Sequence, residues 1–110
     1  MIARQFLPHR FAIDDKAGII DYYENTSTEQ IALSFVDALD QAYAQILRYP
    51  SMGSPRPEHD LDLGGIRSWS LKRFPHQIYY EVFNDRIELC RVLHPKRDIT
   101  QAMLSRQRFQ

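Results

Sequence analysis

The sequence predicts an α+β domain: an N-terminal strand, an antiparallel helical hairpin packed on a small antiparallel sheet, and a short C-terminal helix. The first observation behind this class is a change of apolar period, from about 3.6 residues up to Leu47 to about two from Ile66 onward. The second is length, because 110 residues suit one hydrophobic core. We therefore assign residues 1–110 to a single domain.

The N-terminal part supplies the opening strand and the first helix. Arg4 to Leu7 is predicted as a short strand, and Pro8 is expected at the end of a strand or on an edge strand, because proline has no N–H for a ladder hydrogen bond. A helix is predicted from about Phe11, where one helical stripe contains Ala12, Ile13, Ala17, Ile20 and Tyr23.

The second helix has the longest periodic pattern in the chain. Two overlapping capping boxes are predicted at its start, Thr26-x-x-Glu29 and Ser27-x-x-Gln30, and a proline ends it. The link 24–27 is short, which predicts an antiparallel hairpin. The apolar stripe of this helix consists of Ile31, Phe35, Ala38, Leu39, Ala42, Ile46 and Leu47.

Three strands are predicted after the helices, over Ile66–Lys72, Gln77–Phe83 and Arg86–Leu93. Asn84-Asp85 is predicted as a two-residue hairpin turn, and this turn sets the register of the last two strands. One side then holds the pairs Val82–Ile87, Tyr80–Leu89 and Ile78–Arg91, and the other holds Phe83–Arg86, Glu81–Glu88 and Tyr79–Cys90.

This register places Arg91 at the end of an apolar stripe, where an unpaired charge is costly. The side chain must therefore reach solvent, a carboxylate or a bound partner. Beyond the strands, Asp98 is a suitable N-cap for the short C-terminal helix.

Charge and composition exclude several classes of protein. The 14 basic and 14 acidic residues balance, but residues 1–60 have a net charge of −4 and residues 61–110 one of +4, which predicts a positive patch on one face. The single cysteine, Cys90, excludes an internal disulfide. The sequence has no apolar run long enough for a membrane span and no signal-peptide pattern at its start, so we expect a cytoplasmic protein that makes no membrane contact.

Residues 50–65 are predicted to form a loop rich in proline and glycine. A loop of this length is typical of functional or mobile loops. The stretch Glu58-His59-Asp60-Leu61-Asp62 lacks the glycine and closing glutamate of a calcium loop and the paired Cys/His of a zinc site. We therefore predict no metal site and no cofactor.

Histidine, arginine and tyrosine are concentrated on the last strands and just after them. Such groups can cleave RNA by general acid–base chemistry while arginines hold the phosphate, and the candidates for those roles are His94, Arg67, Arg91 and Tyr79. The residues alone favour structural roles for the same side chains. Trp69 is either a platform on which a base stacks or a core residue.

Five segments, taken in order, resemble the RelE/ParE superfamily of type II toxins, and among them the ParE-type (plasmid stabilisation) toxins. The last segment matches the R-V-L-H-x-x-R-D motif and is the most specific. The segments are Ala12-x-x-Asp15-x-x-x-Ile19-x-x-Tyr22, Leu47-x-x-Pro50-x-x-Gly53, Gly65-Ile66-Arg67, Phe74-Pro75-His76-Gln77-Ile78-Tyr79-Tyr80 (family pattern F-P-Y-x-I-x-Y) and Arg91-Val92-Leu93-His94-Pro95-Lys96-Arg97-Asp98.

The resemblance implies a toxin that a small cognate antitoxin neutralises, as a heterotetramer or larger complex. ParE-like toxins poison DNA gyrase and are not enzymes, whereas RelE-like toxins are endoribonucleases that cut mRNA on the ribosome. The tail 99–110 has no tyrosine or histidine, unlike the tail of RelE-like nucleases, which favours gyrase. An inactive chain that retains only antitoxin binding is the third alternative.

The resemblance and the basic C-terminal half together suggest a binding surface for the target or the antitoxin. We expect acidic residues of the partner to meet the cations and an aromatic side chain to contribute apolar area. The candidate binding residues are Arg56, Arg67, Arg73, Arg91, Lys96, Arg97 and Trp69.

Overall fold

Two helices pack on one face of a five-stranded sheet whose strand order is β1-β5-β4-β3-β2. The structure is a computed structural model that describes residues 4–55 and 65–96. Its elements are β1 (Gln5–Pro8), α1 (Arg10–Thr26), α2 (Glu29–Arg48), a 3₁₀ turn (Pro50–Met52), β2 (Ser54–Pro55), β3 (Ile66–Ser70), β4 (Gln77–Val82) and β5 (Arg86–Leu93).

The predicted fold class is confirmed, with one difference in strand direction. Strands β2 to β5 pair antiparallel, but β1 runs parallel to β5, so the sheet is mixed. An alternating pattern places a strand's two faces but not its direction, so the sequence did not reveal this. The predicted C-terminal helix and its N-cap Asp98 lie outside the described residues.

The helical hairpin is tighter than predicted. Only Ser27 and Thr28 separate the helices, and the N-cap of α2 is Thr28, whose hydroxyl accepts a hydrogen bond from the Ile31 N–H at 3.1 Å. Both predicted capping boxes are therefore wrong. Thr26 is the last residue of α1 and donates its hydroxyl hydrogen to the carbonyl of Tyr22 instead.

The buried face of α2 is rotated slightly from the predicted stripe. Ala32 is buried where Ile31 was expected, and Ile31 and Leu47 are exposed, as is Ile13 on α1. These residues flank the stripe, where periodicity assigns a face least sharply. The core between helices and sheet is formed by Ala12, Phe35, Leu39, Ala42, Ile46, Leu71, Ile78, Tyr80, Ile87, Leu89 and Val92.

A β-bulge shifts the register of β4 and β5. The pairs nearest the Asn84-Asp85 turn, Val82–Ile87, Glu81–Glu88 and Tyr80–Leu89, are confirmed. The next pairs are Tyr79–Arg91 and Ile78–Val92, with Cys90 as the extra residue, so the predicted pairs Ile78–Arg91 and Tyr79–Cys90 are wrong. The bulge replaces Arg91 with Val92 opposite Ile78 on the apolar face.

Candidate partner-binding site

Arg91 is held in a buried ion pair with Asp15 of α1. Its Nε and Nη2 donate to the two carboxylate oxygens at 2.7 and 2.8 Å, and the side chains are only 6 % and 10 % exposed. The same carboxylate accepts the Val92 N–H at 3.0 Å. This is possible because the pairing of β1 with β5 ends at Leu89, so β1 does not cover the edge of β5 at Val92. Asp15 therefore ties α1 to β5, and Arg91 reaches a carboxylate, one of the three environments predicted for it.

A second anchor joins β4 to the turn after α2. The buried Tyr80 hydroxyl donates to the Pro50 carbonyl at 2.8 Å and accepts the Gly53 N–H at 3.1 Å. Burial raises the pKa of the Tyr80 phenol, so it remains a donor at neutral pH. Arg67 completes the anchor, because its Nη1 donates to the Gly53 carbonyl at 2.8 Å.

The four nuclease candidates do not converge on one open site. Arg67 is opposite Tyr80 in the sheet, so it lies on the helix-covered face, whereas Tyr79 projects from the other face. Tyr79 is 1 % exposed and Arg91 is held by Asp15. His94 is exposed, and its Nδ1 accepts the Lys96 N–H at 3.1 Å.

The remaining cations of the C-terminal half show how much of the positive charge is available. Arg86 donates to Asp85 and Glu88 at 2.9 and 2.7 Å, so it is engaged within the fold. Lys72, Arg73 and Lys96 are exposed, and none of them forms an ion pair with the described residues. Within residues 65–96, the positive charge that is both exposed and without an ion pair to described residues is thus limited to these three side chains, and the positive patch on one face stays a prediction.

Glu88 lies directly opposite Glu81, as predicted, and its charge is compensated by neighbours. Burial raises the pKa of Glu88, but hydrogen bonds from Arg86 at 2.7 Å and His9 at 2.8 Å outweigh that effect and lower it. The carboxylate therefore stays ionised beside a like charge.

Two of the exposed cations border an open groove between α2 and β3. The groove has a volume of about 520 Å³ and is lined by Trp69, Ala38, Gln41 and Lys72, among others. It continues into a hollow of about 290 Å³ that shares Lys72 and adds Arg73 and Asp37. We call the two together the α2–β3 groove.

Trp69 is in part a core residue, one of its two predicted roles, and its role as a platform for a stacked base stays a prediction. Its half-buried side chain packs against the core, and it also lines the α2–β3 groove. Because the α2 side of the groove has alanines at 38, 42 and 44, a partner backbone can approach closely there. The arrangement combines an aromatic surface, small side chains and two cations, which suits an apolar side chain followed by acidic residues.

Arg73 has a backbone conformation that L-amino acids rarely adopt. Its φ is +71°, and no other non-glycine residue in the described ranges has a positive φ. The left-handed region costs a residue with a Cβ about 1–2 kcal/mol, and glycine avoids that cost. Strain of this kind is concentrated at functional sites, and here it lies at the rim of the α2–β3 groove.

Replacing Arg73 with glycine is expected to raise the free energy of unfolding by about 0.5–1 kcal/mol, because the relief of strain exceeds the extra entropy of the unfolded glycine. Urea unfolding at constant m-value measures the change. Lys72→Gly is the matched control: it adds the same conformational entropy to the unfolded chain without relieving backbone strain, so it should lower the free energy of unfolding. Equal losses in both variants would contradict the strain argument.

Several predicted site residues lie outside the described residues. Arg56 and Arg97 belong to this group, and the Glu58–Asp62 stretch, for which no metal site is predicted, also lies outside the described residues. Within residues 4–55 and 65–96, no group of three or more His, Cys, Asp or Glu side chains is arranged to hold a metal ion. In the same ranges neither helix has the length and apolarity to cross a membrane.

Three features of this region were not predicted from the sequence. Arg91 was a candidate without its partner Asp15, although the costly charge predicted for Arg91 and the aspartate of the first motif were available signals. Lys72 was not assigned to the groove. Gly53 had no structural explanation, although it approaches the Tyr80 hydroxyl too closely for any side chain.

Comparisons with known proteins agree with the resemblance found in the sequence. Residues 8–99 match a family model described as the ParE toxin of the type II toxin–antitoxin system parDE. The fold is similar to a chain of the chromosomal ParDE system of P. aeruginosa, with a TM-score of 0.70 and 22% identity over 84% of this chain and 96% of that one.

A second structural match is a chain of the toxin–antitoxin complex RelBE2 from Mycobacterium tuberculosis. Its TM-score is 0.54, with 18% identity over 88% of this chain and 97% of that one. No curated protein matches the sequence at a significant level. At these identities the two structural matches establish the fold and no more.

Proposed function

The chain belongs to the ParE toxin family of type II toxin–antitoxin systems, and from this premise we propose that it acts in the cytoplasm by poisoning DNA gyrase. The observation that carries the proposal is the match of residues 8–99 to the ParE family model, since it spans both helices, the sheet and the Arg91–His94 segment. A small cognate antitoxin is its neutralising partner, forming a heterotetramer or larger complex with it.

The geometry of the nuclease candidates supports gyrase over mRNA as the target. General acid–base cleavage needs groups that reach one substrate together. Here Tyr79 and Arg91 are buried, and Arg67 and Tyr79 lie on opposite faces of the sheet. RelE-like cleavage of mRNA on the ribosome is the alternative, and exposed His94 is the residue on which it would depend.

Induced expression in a bacterial host separates the two targets. Gyrase poisoning predicts trapped DNA cleavage complexes and an SOS response with intact mRNA, whereas mRNA cuts in phase with codons would contradict it. His94→Ala provides the internal control. His94 is exposed but its ring contacts the buried His76 edge-on, so we expect this variant to lose a little melting temperature and to keep its toxicity; lost toxicity at an unchanged melting temperature would favour the nuclease.

We propose the α2–β3 groove as a contact site for the antitoxin. Of the arginines expected to meet acidic residues, Arg67 donates to Gly53 and Arg91 to Asp15, so Arg73 is the described one whose guanidinium remains exposed, with Lys72 beside it. Trp69 supplies the apolar area. An antitoxin segment with an apolar anchor and acidic neighbours fits this chemistry.

Arg73→Gln is expected to weaken antitoxin binding by about 5–30-fold, equivalent to about 1–2 kcal/mol, because it removes a charge at the groove while retaining a polar side chain. Titration calorimetry or surface plasmon resonance with the adjacent-gene product measures the affinity. Arg10→Gln, an exposed cation on α1, is the matched control and should change affinity less than twofold. Equal effects of the two variants would remove Arg73 from the interface.

A further inference from the structure

His76 is surrounded by aromatic rings from three parts of the fold. Phe35 of α2 lies 5.3 Å from it between ring centroids, Tyr23 of α1 lies 6.2 Å away, and His94 after β5 lies 5.4 Å away. We call the rings of Tyr23, Phe35 and His94 the aromatic box. Phe74 packs on this box, since it contacts both Tyr23 and Phe35 edge-on. The composition of the box leaves the imidazole without a carboxylate neighbour among the described residues.

The imidazole of His76 is buried with part of its polarity unsatisfied. The residue is only 5 % exposed, and its Nδ1 is the one buried side-chain nitrogen or oxygen atom in the described ranges that has no hydrogen-bond partner. The titratable groups facing it are Tyr23 from α1 and His94 after β5, while α2 contributes the apolar Phe35. Burial, and to a smaller extent His94, lowers the pKa of His76.

His76 also closes the loop between β3 and β4. Its carbonyl accepts the Leu71 N–H at 3.2 Å, which joins the two ends of the segment 71–76. Phe74 of this segment packs on the box, and Lys72 and Arg73 project from the segment to the α2–β3 groove. The His76 imidazole therefore belongs to the same short segment as the two groove cations.

We propose that His76 is a pH-sensitive clasp: while neutral it holds the segment 71–76 closed against the aromatic box, and when it gains a proton it leaves the box and releases that segment. Release of the segment would move Lys72 and Arg73 at the α2–β3 groove. The effect of that movement on antitoxin binding rests on the proposed function; the clasp itself does not.

The sign of the effect follows from proton binding. The unfolded chain takes up a proton on His76 near pH 6.5, but the folded chain does so only at lower pH, so stability is complete above about 6.5 and falls as the pH decreases. If the folded imidazole stays neutral, the unfolding equilibrium constant is larger than its value at pH 8 by about fourfold at pH 6 and by about 30-fold at pH 5. A folded pKa closer to 6.5 makes these factors smaller.

The test uses the toxin alone, so a failed clasp and a failed gyrase proposal are distinguishable. Urea unfolding from pH 8 to pH 5 is compared among the natural chain, His76→Phe and His94→Gln. We expect the natural chain and His94→Gln to lose stability on acidification. His76→Phe should lose less: between pH 8 and pH 5 its unfolding equilibrium constant should rise less than that of the natural chain, by a factor of up to about 30. Identical pH profiles for the natural chain and His76→Phe would overturn the proposal.

Two NMR measurements on the natural chain keep the test valid if His76→Phe does not fold. The side-chain resonances of His76 should report a neutral imidazole well below pH 6.5, and titration at 6.5 or above would overturn the clasp. Amide hydrogen exchange, compared between the two sites at the same pH, locates the opening. As the pH is lowered, the protection of the Leu71 N–H should decrease before that of the Ile78 N–H in the core of β4. A parallel loss of protection at both sites would overturn release of the segment.

Discussion

Asp15→Ala is expected to lower the free energy of unfolding by about 3–5 kcal/mol, because it leaves the Arg91 guanidinium buried without its counter-charge. The Val92 N–H loses its acceptor at the same time. Such a loss is a large part of the stability of a domain of this size, so much of the variant is expected to be unfolded at 37 °C. Urea unfolding followed by circular dichroism measures the change.

The neighbouring residue provides the control for this variant. Asp14→Ala removes the same charge from the same turn of α1, but Asp14 is exposed, so its effect is expected to be below about 0.5 kcal/mol. A double replacement of Asp15 and Arg91 by leucine should be less harmful than Asp15→Ala, since no buried charge remains. Similar losses for Asp14→Ala and Asp15→Ala would show that the pair contributes only through helix electrostatics.

The sequence was sufficient for the elements but not for the contacts between distant segments. Periodicity located both helices and the three C-terminal strands, because each pattern arises from contact with one core. Periodicity could not reveal the bulge at Cys90, since an extra residue leaves the apolar alternation nearly intact while changing every later pair of residues. Only Arg91 indicated the bulge in the sequence, because a charged residue on an apolar stripe indicates that the strand register has changed there.

The candidate site was predictable in its residue types and not in their availability. Arg67, Arg73 and Arg91 are equivalent in a sequence, yet the fold uses two of them for internal hydrogen bonds and exposes the third. The acceptors, the Gly53 carbonyl and the Asp15 carboxylate, are 14 and 76 residues away along the chain. Net charge therefore overstates a binding surface, because counting cannot separate structural arginines from free ones.

Gly53→Ala is expected to destabilise the fold by about 3 kcal/mol, because the new methyl group would overlap the Tyr80 hydroxyl and displace it from both of its backbone partners. The added Cβ would also approach the ring Cζ of Tyr80 at 2.8 Å and the Ser68 carbonyl at 3.0 Å, so both a side chain and the backbone must move to accommodate it. Thermal or urea unfolding measures the loss. Gly18→Ala is the matched control: nothing lies within 4 Å of a Cβ there, and alanine in helix α1 should stabilise by about 0.5–1 kcal/mol.

A double-mutant cycle with Tyr80→Phe tests whether the two residues act as one anchor. Tyr80→Phe alone should cost about 1–3 kcal/mol, because the Gly53 N–H and the Pro50 carbonyl lose their buried partner. If Gly53→Ala already breaks those hydrogen bonds, the double variant should lose at least about 1 kcal/mol less than the two single losses combined. Additive losses would mean that the turn tolerates a methyl group without moving the Tyr80 hydroxyl, and that the glycine is required for its backbone alone.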